Sequence, residues 1–402
     1  MKFYLLLLIF IFHLEANPLQ EAINTATPYS TLKLSSGTYT GNITIDKPLT
    51  IIGKESDVII KGSGIDSVIT ITSSHVTLKN LTISGSGSRM DRIDSALSMK
   101  NVKQCEVNGC KIIDSLYGID MDMVSESIIA NNYITSKDLD ISLRGNALKM
   151  YYANNNLIQN NTIENSRDVT LDYSHANLFK GNIFKNNRFA THISLSNNNF
   201  FDSNTYLYNS VSIMVMGAMN TMVSYNTIKS SKGAAGIGVV INGVANFRFE
   251  YNTLKFNAKG IYIDGQEKAK GMKRYINHNE IAYNGEAIHF HAYIVDNTIT
   301  HNKIFGNIDD IVKDIEGNFL PSNIVEYNYW DRYAGFDRDG DSIGDSSHQI
   351  YQYADQLWHY NNKVKFFYGS PIMSLMNFLA NLAPFVEPNL LLEDSKPAFT
   401  SQ

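Results

Sequence analysis

Apolar and polar residues alternate at every second position through most of this chain, as in Leu32-Lys-Leu34, Ile43-Thr-Ile45 and Val211-Ser-Ile213-Met-Val215. That period belongs to strands with one buried face, and no unit shows the 3.6-residue period of a helix. Between the strands one phrase keeps returning: Asn, any residue, then an aliphatic or aromatic. Eight copies begin at Asn132, Asn161, Asn182, Asn204, Asn226, Asn252, Asn279 and Asn302, with steps of 29, 21, 22, 22, 26, 27 and 23 residues. Self-similarity at this period means stacked units that bury their apolar faces only against their neighbours. A leucine-rich horseshoe shares the period, but the alternation and the Ile, Val, Thr, Phe and Tyr content favour strands with Asn and Gly at the corners. The prediction is an all-β, right-handed parallel β-helix over residues 17–328. The repeated Asn either forms a ladder of amides, each bonding the next rung, or merely tolerates left-handed turns.

The ends read differently. Residues 1–16 resemble a secretory signal: Lys2, an apolar run from Tyr4 to Phe12 too short for a bilayer, and Leu14-Glu15-Ala16 for cleavage. The other reading is an uncleaved anchor. Pro18–Thr25 is predicted as a short helix that caps the first rung, and the Gly/Ser-rich Ser84–Arg92 as a loop. After Asn328 the pattern lapses, and 329–402 is predicted as a C-terminal extension. Within it Ser370 suits an N-cap and Pro371 a first helical position. Ile372, Met373, Leu375, Met376, Phe378, Leu379 and Leu382 then give an apolar stripe that ends before Pro384. This helix is predicted to cap the open solenoid, or to dock on a partner through Ile372, Leu375, Met376, Phe378 and Leu379. Extended chain follows through Leu390 to Leu392.

With 34 basic and 39 acidic residues the net charge is −5, which argues against nucleic acid as a partner. Counting back from each repeat Asn maps the outward side chains of one sheet. One column reads Asp120, Lys149, Thr170, His192, Met214, Val240, and the next reads Asp122, Tyr151, Asp172, Ser194, Met216, Asn242. His192 and Met214 fall on neighbouring rungs, with Met216 on the same face. Thioethers with imidazole suit Cu(I), or the methionines form an adaptable docking patch. Asp120, Asp122 and Asp172 with Lys149 and Tyr151 could do acid–base work on an acidic polysaccharide, or form an ordinary solvated face. Of the late histidines His278, His289, His291 and His301, the pair His289 and His291 shares a strand face and could hold a metal.

Two further groups carry chemistry. Laying Asn108 on the repeat Asn puts Cys105 where Ile129 and Ile158 stand, and Cys110 where Ile134 stands. Both then point inward, as small core residues or as a disulfide; a Cys-x4-Cys metal site is the weaker reading, because inward thiols are poorly reachable. Asp337, Asp339, Asp341 and Asp345 occupy positions 1, 3, 5 and 9 of a Gly-containing loop, a spacing that suits calcium in a structural role.

The chain resembles the NosD family. The resemblance rests on the opening Leu19-Gln-Glu-Ala-Ile23, on Gly37-Thr-Tyr39 and Lys47 through Gly53, and on the Asn-rich coils. Its most specific part is the ordered series Tyr329-Trp330-Asp331, Gly335-Phe-Asp337 through Gly344-Asp345, Leu357-Trp358 and Ser370-Pro371. It implies a periplasmic, non-enzymatic copper-handling protein in the maturation of nitrous oxide reductase. The implied partners are the membrane and ATPase subunits of an ABC transporter, a copper chaperone and the reductase. Family coils often carry a His/Met/Tyr-Ser phrase. Here those strands diverge, so copper at His192, Met214 and Met216 is a reading of the residues alone. The runner-up is a secreted β-helix lyase or epimerase using Asp122, Asp172 and Lys149, and a third reading is a purely structural scaffold.

Overall fold

The computed structural model describes residues 17–55, 57–264, 272–291, 294–314, 322–352, 362–367, 370–382 and 389–400. Twelve coils each contribute one short strand to each of three parallel sheets, here I, II and III, and a last one contributes a strand to I and II among the described residues. Sheet I has 13 strands, from Thr31–Leu34 to Ile324–Glu326. Sheet II has 13, from Gly37–Thr40 to Tyr329–Trp330, and sheet III has 12, from Ile43–Ile45 to Asp309–Lys313. Every third strand in sequence is a neighbour in space, the pattern of a parallel β-solenoid. Inward residues form continuous stacks, such as Phe179 on Phe201 at 4.9 Å and Phe184 on Tyr206 at 4.8 Å. The signal segment 1–16 and the helix stop at Pro384 lie outside the described residues.

The Asn phrase is a ladder. Asn132 Nδ2 donates to Asn161 Oδ1 at 2.9 Å, and Asn161 to Asn182, Asn182 to Asn204, and Asn279 to Asn302 do the same at 2.9 Å. Each Nδ2 also reaches a backbone carbonyl of an earlier coil, as Asn204 does to Phe179 O at 2.9 Å. The left-handed conformation falls on the residue before the ladder Asn, for example Asn160 (φ 53°), Tyr225 (φ 56°) and His278 (φ 56°). The ladder Asn is therefore kept for its amide rather than for turn tolerance. Two shorter ladders run parallel to it, five residues before (Asn156, Asn177, Asn199) and five after (Asn257, Asn284, Asn307).

The register corrects the placement of the cysteines. Lys111 pairs with Tyr133 and Val107 with Ile129, so Cys110 rather than Asn108 stands at the ladder position. Cys110 N donates to Asn132 Oδ1 at 2.9 Å and Cys105 N to Ser127 Oγ at 3.0 Å. Both thiols are buried and free, not bridged. Burial pushes the Cys110 thiol up to about 11, so it stays protonated and a poor nucleophile or ligand.

At the first coil the predicted helix Pro18–Thr25, here α1, buries Leu19 and Ile23, and Asn17 Oδ1 accepts from Leu19 N and Gln20 N. Against the last coil lies a strand pair that the sequence pattern does not announce. His348–Gln352 and Asn389–Asp394 form an antiparallel pair, and Leu391 and Leu392 enter the core. The helix Pro371–Leu382 is here α2. Its Met373 is buried, while Ile372, Leu375, Met376, Phe378 and Leu379 are all exposed.

Candidate metal site on the outer face of sheet III

The register assembles both outward columns as the alternation requires. Asp120 pairs with Lys149, Lys149 with Thr170, Thr170 with His192, and His192 with Met214. In the adjacent column Asp122 pairs with Tyr151, Tyr151 with Asp172, and Ser194 with Met216. His192, Met214 and Met216 thus occupy one patch on two neighbouring strands, roughly 4.8 Å apart. All three are half-buried. His192 packs its ring 5.6 Å from Phe189, and its Nε2 is buried with no hydrogen-bond partner. Burial lowers its pKa against the opposing pull of Asp172. A neutral imidazole with an unused buried nitrogen beside two thioethers is a soft, low-charge donor set.

The acidic end behaves otherwise. Asp120 is buried rather than solvated, and Lys149 Nζ lies 3.2 Å from its Oδ1. Burial raises the Asp120 carboxyl, against the attraction of Lys149, and burial likewise raises Asp172. Asp122 and Asp172 stand on alternate coils with Tyr151 between them. An exposed aromatic group of Tyr151, Tyr152 and Tyr173 flanks them, with Tyr152 and Tyr173 stacked at 5.3 Å.

Further along the same column Tyr262 pairs with His289. Here the fold brings together a network that spacing alone did not reveal. Lys259 Nζ lies 2.8 Å from Glu286 Oε1 and 2.8 Å from His289 Nδ1, which also contacts Glu286. Both His289 Nε2 (3.0 Å) and His291 Nδ1 (3.1 Å) reach Asp314 Oδ2. Although burial opposes it, Asp314 and Glu286 raise the pKa of His289. The signal that was missed is the insertion length between coils, which hides which rungs become neighbours. His278 and His301 lie elsewhere, in a run of stacked rings from Tyr225 to Tyr327, with their own rings 4.8 Å apart.

In the C-terminal loop Asp337, Asp339 and Asp341 bring carboxylate oxygens within 4.8 Å of one another. Asp345 does not join them; its Oδ2 accepts from Arg338 N. Among the described residues no helix is long and apolar enough to cross a membrane.

Comparison with known proteins gives a family and a fold. The sequence model of the family described as "Periplasmic copper-binding protein (NosD)" matches residues 131–335. The chain is 23% identical to the "Probable ABC transporter binding protein NosD" of Pseudomonas aeruginosa, over 88% of this chain and 84% of that protein. It is 22% identical to the protein of the same name from Stutzerimonas stutzeri, over 91% and 86%. Among solved structures it is similar to the A-modules of two mannuronan C-5 epimerases of Azotobacter vinelandii. AlgE6 has 14% identity, covering 78% of this chain and 93% of that one, with a TM-score of 0.63. AlgE4 has 13% identity, covering 77% and 93%, with a TM-score of 0.55. At such identities these two likenesses establish the solenoid fold alone.

Proposed function

Because this chain belongs to the NosD family, we propose that it is a periplasmic, non-enzymatic accessory protein that binds copper for the maturation of nitrous oxide reductase. In this reading it works with an ABC transporter, as the names of its relatives state for them. A copper chaperone supplies it and the reductase receives from it. The observation that carries the copper assignment is the buried, partnerless Nε2 of His192, in register with Met214 and beside Met216. A buried polar atom without a partner costs about 1–3 kcal/mol, and a soft cation at that nitrogen removes the cost. Copper is cargo here: the residues hold it, and the thioethers select the reduced ion over hard divalent cations.

The exposed apolar residues of α2 supply the docking element for the transporter. All twelve residues of Pro371–Leu382 are uncharged, which suits a partner groove at or near a membrane. The enzymatic alternative on an acidic polysaccharide is weaker. Lys149, the cation needed to neutralise a uronate carboxylate, is already committed to Asp120. The acidic loop, with Asp337, Asp339 and Asp341 together, remains a calcium proposal of structural role.

The test is an anaerobic Cu(I) titration against a competing chelator, comparing wild type with the triple variant His192→Ala, Met214→Ala, Met216→Ala. Binding by wild type and its loss in a folded variant supports the site. Unchanged binding in the variant moves copper elsewhere, and no binding by either leaves a docking scaffold.

A further inference from the structure

We propose a second metal site on the same face of sheet III, two coils beyond Met216, in which Asp264 and His291 take a borderline divalent cation such as Zn2+. The outward column continues from Met216 to Asn242 to Asp264 in register. Backbone hydrogen bonds from His291 N to Ile263 O (2.9 Å) and from Asp314 N to Phe290 O (3.1 Å) carry the same ladder on to His291 and Asp314. Asp264 and His291 therefore project from adjacent rungs, roughly 4.8 Å apart at the backbone.

Each of the two side chains is half of a metal site. His291 Nδ1 is 3.1 Å from Asp314 Oδ2. A carboxylate in that position fixes the tautomer and orientation of a metal-binding imidazole and leaves the other nitrogen's lone pair for the ion. Among the described residues Nε2 of His291 has no partner, and its side chain is 31% exposed, so the nitrogen is reachable. Asp264 is divided in the same way. Its Oδ2 accepts from Asn242 Nδ2 at 3.0 Å, while its Oδ1 is buried with no partner. A desolvated carboxylate oxygen without a donor is costly, and a cation is the ligand that relieves it.

The donor set fixes the class of ion. One imidazole and one carboxylate, completed by water, suit Zn2+ or Cu2+, whereas Cu(I) prefers sulfur. His289 is left out of the ligand set because Glu286 and Lys259 hold its Nδ1, and its buried Nε2, though not aligned for a hydrogen bond, faces Asp314 Oδ2 at 3.0 Å. It braces the carboxylate that orients His291. The face then sorts metals by softness: thioether and imidazole at His192, Met214 and Met216, oxygen and imidazole roughly 10 Å further along. The second site does not rest on the copper reading, and either can fail without the other.

The experiment is a Zn2+ titration of the purified full chain against a chromophoric chelator, in the background Asp339→Asn, Asp341→Asn to silence the acidic loop. Wild-type side chains at the site are expected to bind one Zn2+. Either His291→Ala or Asp264→Asn should abolish that binding. Asp314→Asn, which removes the carboxylate shared by His291 Nδ1 and His289 Nε2 but neither ligand, should weaken it by about 10- to 100-fold. The variant lacking His192, Met214 and Met216 should keep it. Circular dichroism and thermal unfolding confirm that each variant is folded, and His291→Gln serves if His291→Ala is not. Absence of Zn2+ binding in the parent, or an affinity unchanged from the parent in His291→Ala or in Asp264→Asn, overturns the proposal. So does loss of Zn2+ from the His192/Met214/Met216 variant.

Discussion

Asp394 Oδ2 accepts from Asn328 Nδ2 at 2.9 Å and so occupies the place that the amide oxygen of a further ladder Asn would fill. The same oxygen accepts from Asn328 N at 3.1 Å and Trp330 Nε1 at 2.9 Å. The antiparallel strand Asn389–Asp394 thus ends the Asn ladder chemically as well as covering the core. Asp394→Ala leaves three buried donors unsatisfied and should destabilise the last coils by roughly 3 kcal/mol or more. Asp394→Asn keeps an acceptor oxygen and should cost less than half of that. Because a solenoid unfolds by neighbouring units, hydrogen exchange should quicken first in residues 322–330. Uniform exchange along the whole chain would contradict the local role.

Within the ladder, Asn204 accepts from Asn182 N and Nδ2 and donates to Phe179 O and Asn226 Oδ1. Asn204→Ala should lower stability by roughly 2–4 kcal/mol in urea unfolding, the cost of several unpaired buried groups. Asn204→Asp keeps the acceptor and the shape but buries a charge and loses both donations. It should be no better than alanine. Rescue by Asp would mean that shape alone, and not the amide pair, is required at this corner.

The ladder was legible because one buried corner needs one residue type once per coil, so the demand is written at a fixed period. The outward columns followed from strand alternation, and His192, Met214 and Met216 fell where that alternation put them. The cysteines were misplaced because Asn108, in Asn-Gly-Cys, mimics the phrase two residues before the true ladder position, which Cys110 fills. The apolar stripe of Pro371–Leu382 specified a helix but not what that face meets. Two strands far apart in sequence, His348–Gln352 and Asn389–Asp394, also cover the last coil, and no local pattern links them. The cluster at Lys259, Glu286, His289 and Asp314 draws on three coils of unequal length, and only the folded register makes those residues neighbours.

A pH effect follows from Asp310 in the last described strand of sheet III. Burial pushes its carboxyl up to about 6, opposed by Arg332, and Asn307 Nδ2 donates to its Oδ1 at 3.3 Å. The folded state therefore binds this proton more tightly than the unfolded chain, whose value is near 3.8. Its contribution to stability is fully present below pH 3.8 and is lost as pH rises through 6. At pH 7.5 that loss amounts to at most roughly 3 kcal/mol. Asp310→Asn, which mimics the protonated form, should raise the unfolding midpoint at pH 7.5 and make little difference at pH 4. A midpoint shift of equal size at both values would show that folding does not raise the pKa of Asp310.

Exposure of α2 separates docking from folding. Leu375 and Phe378 are 56% and 58% exposed, so charged replacements there remove no core contact and should change solenoid stability by less than about 0.5 kcal/mol. They do remove apolar area that a partner would bury. At about 25 cal/mol per Å2, losing two such anchors and introducing charge should weaken association by at least about 3 kcal/mol, more than a hundredfold. Leu375→Glu combined with Phe378→Glu should therefore abolish capture of the transporter's membrane subunit in detergent while leaving the thermal unfolding profile and Cu(I) binding unchanged. Retained capture would transfer the docking role from this helix to the solenoid face. Loss of capture together with a lowered unfolding midpoint would instead make the helix part of the C-terminal cap.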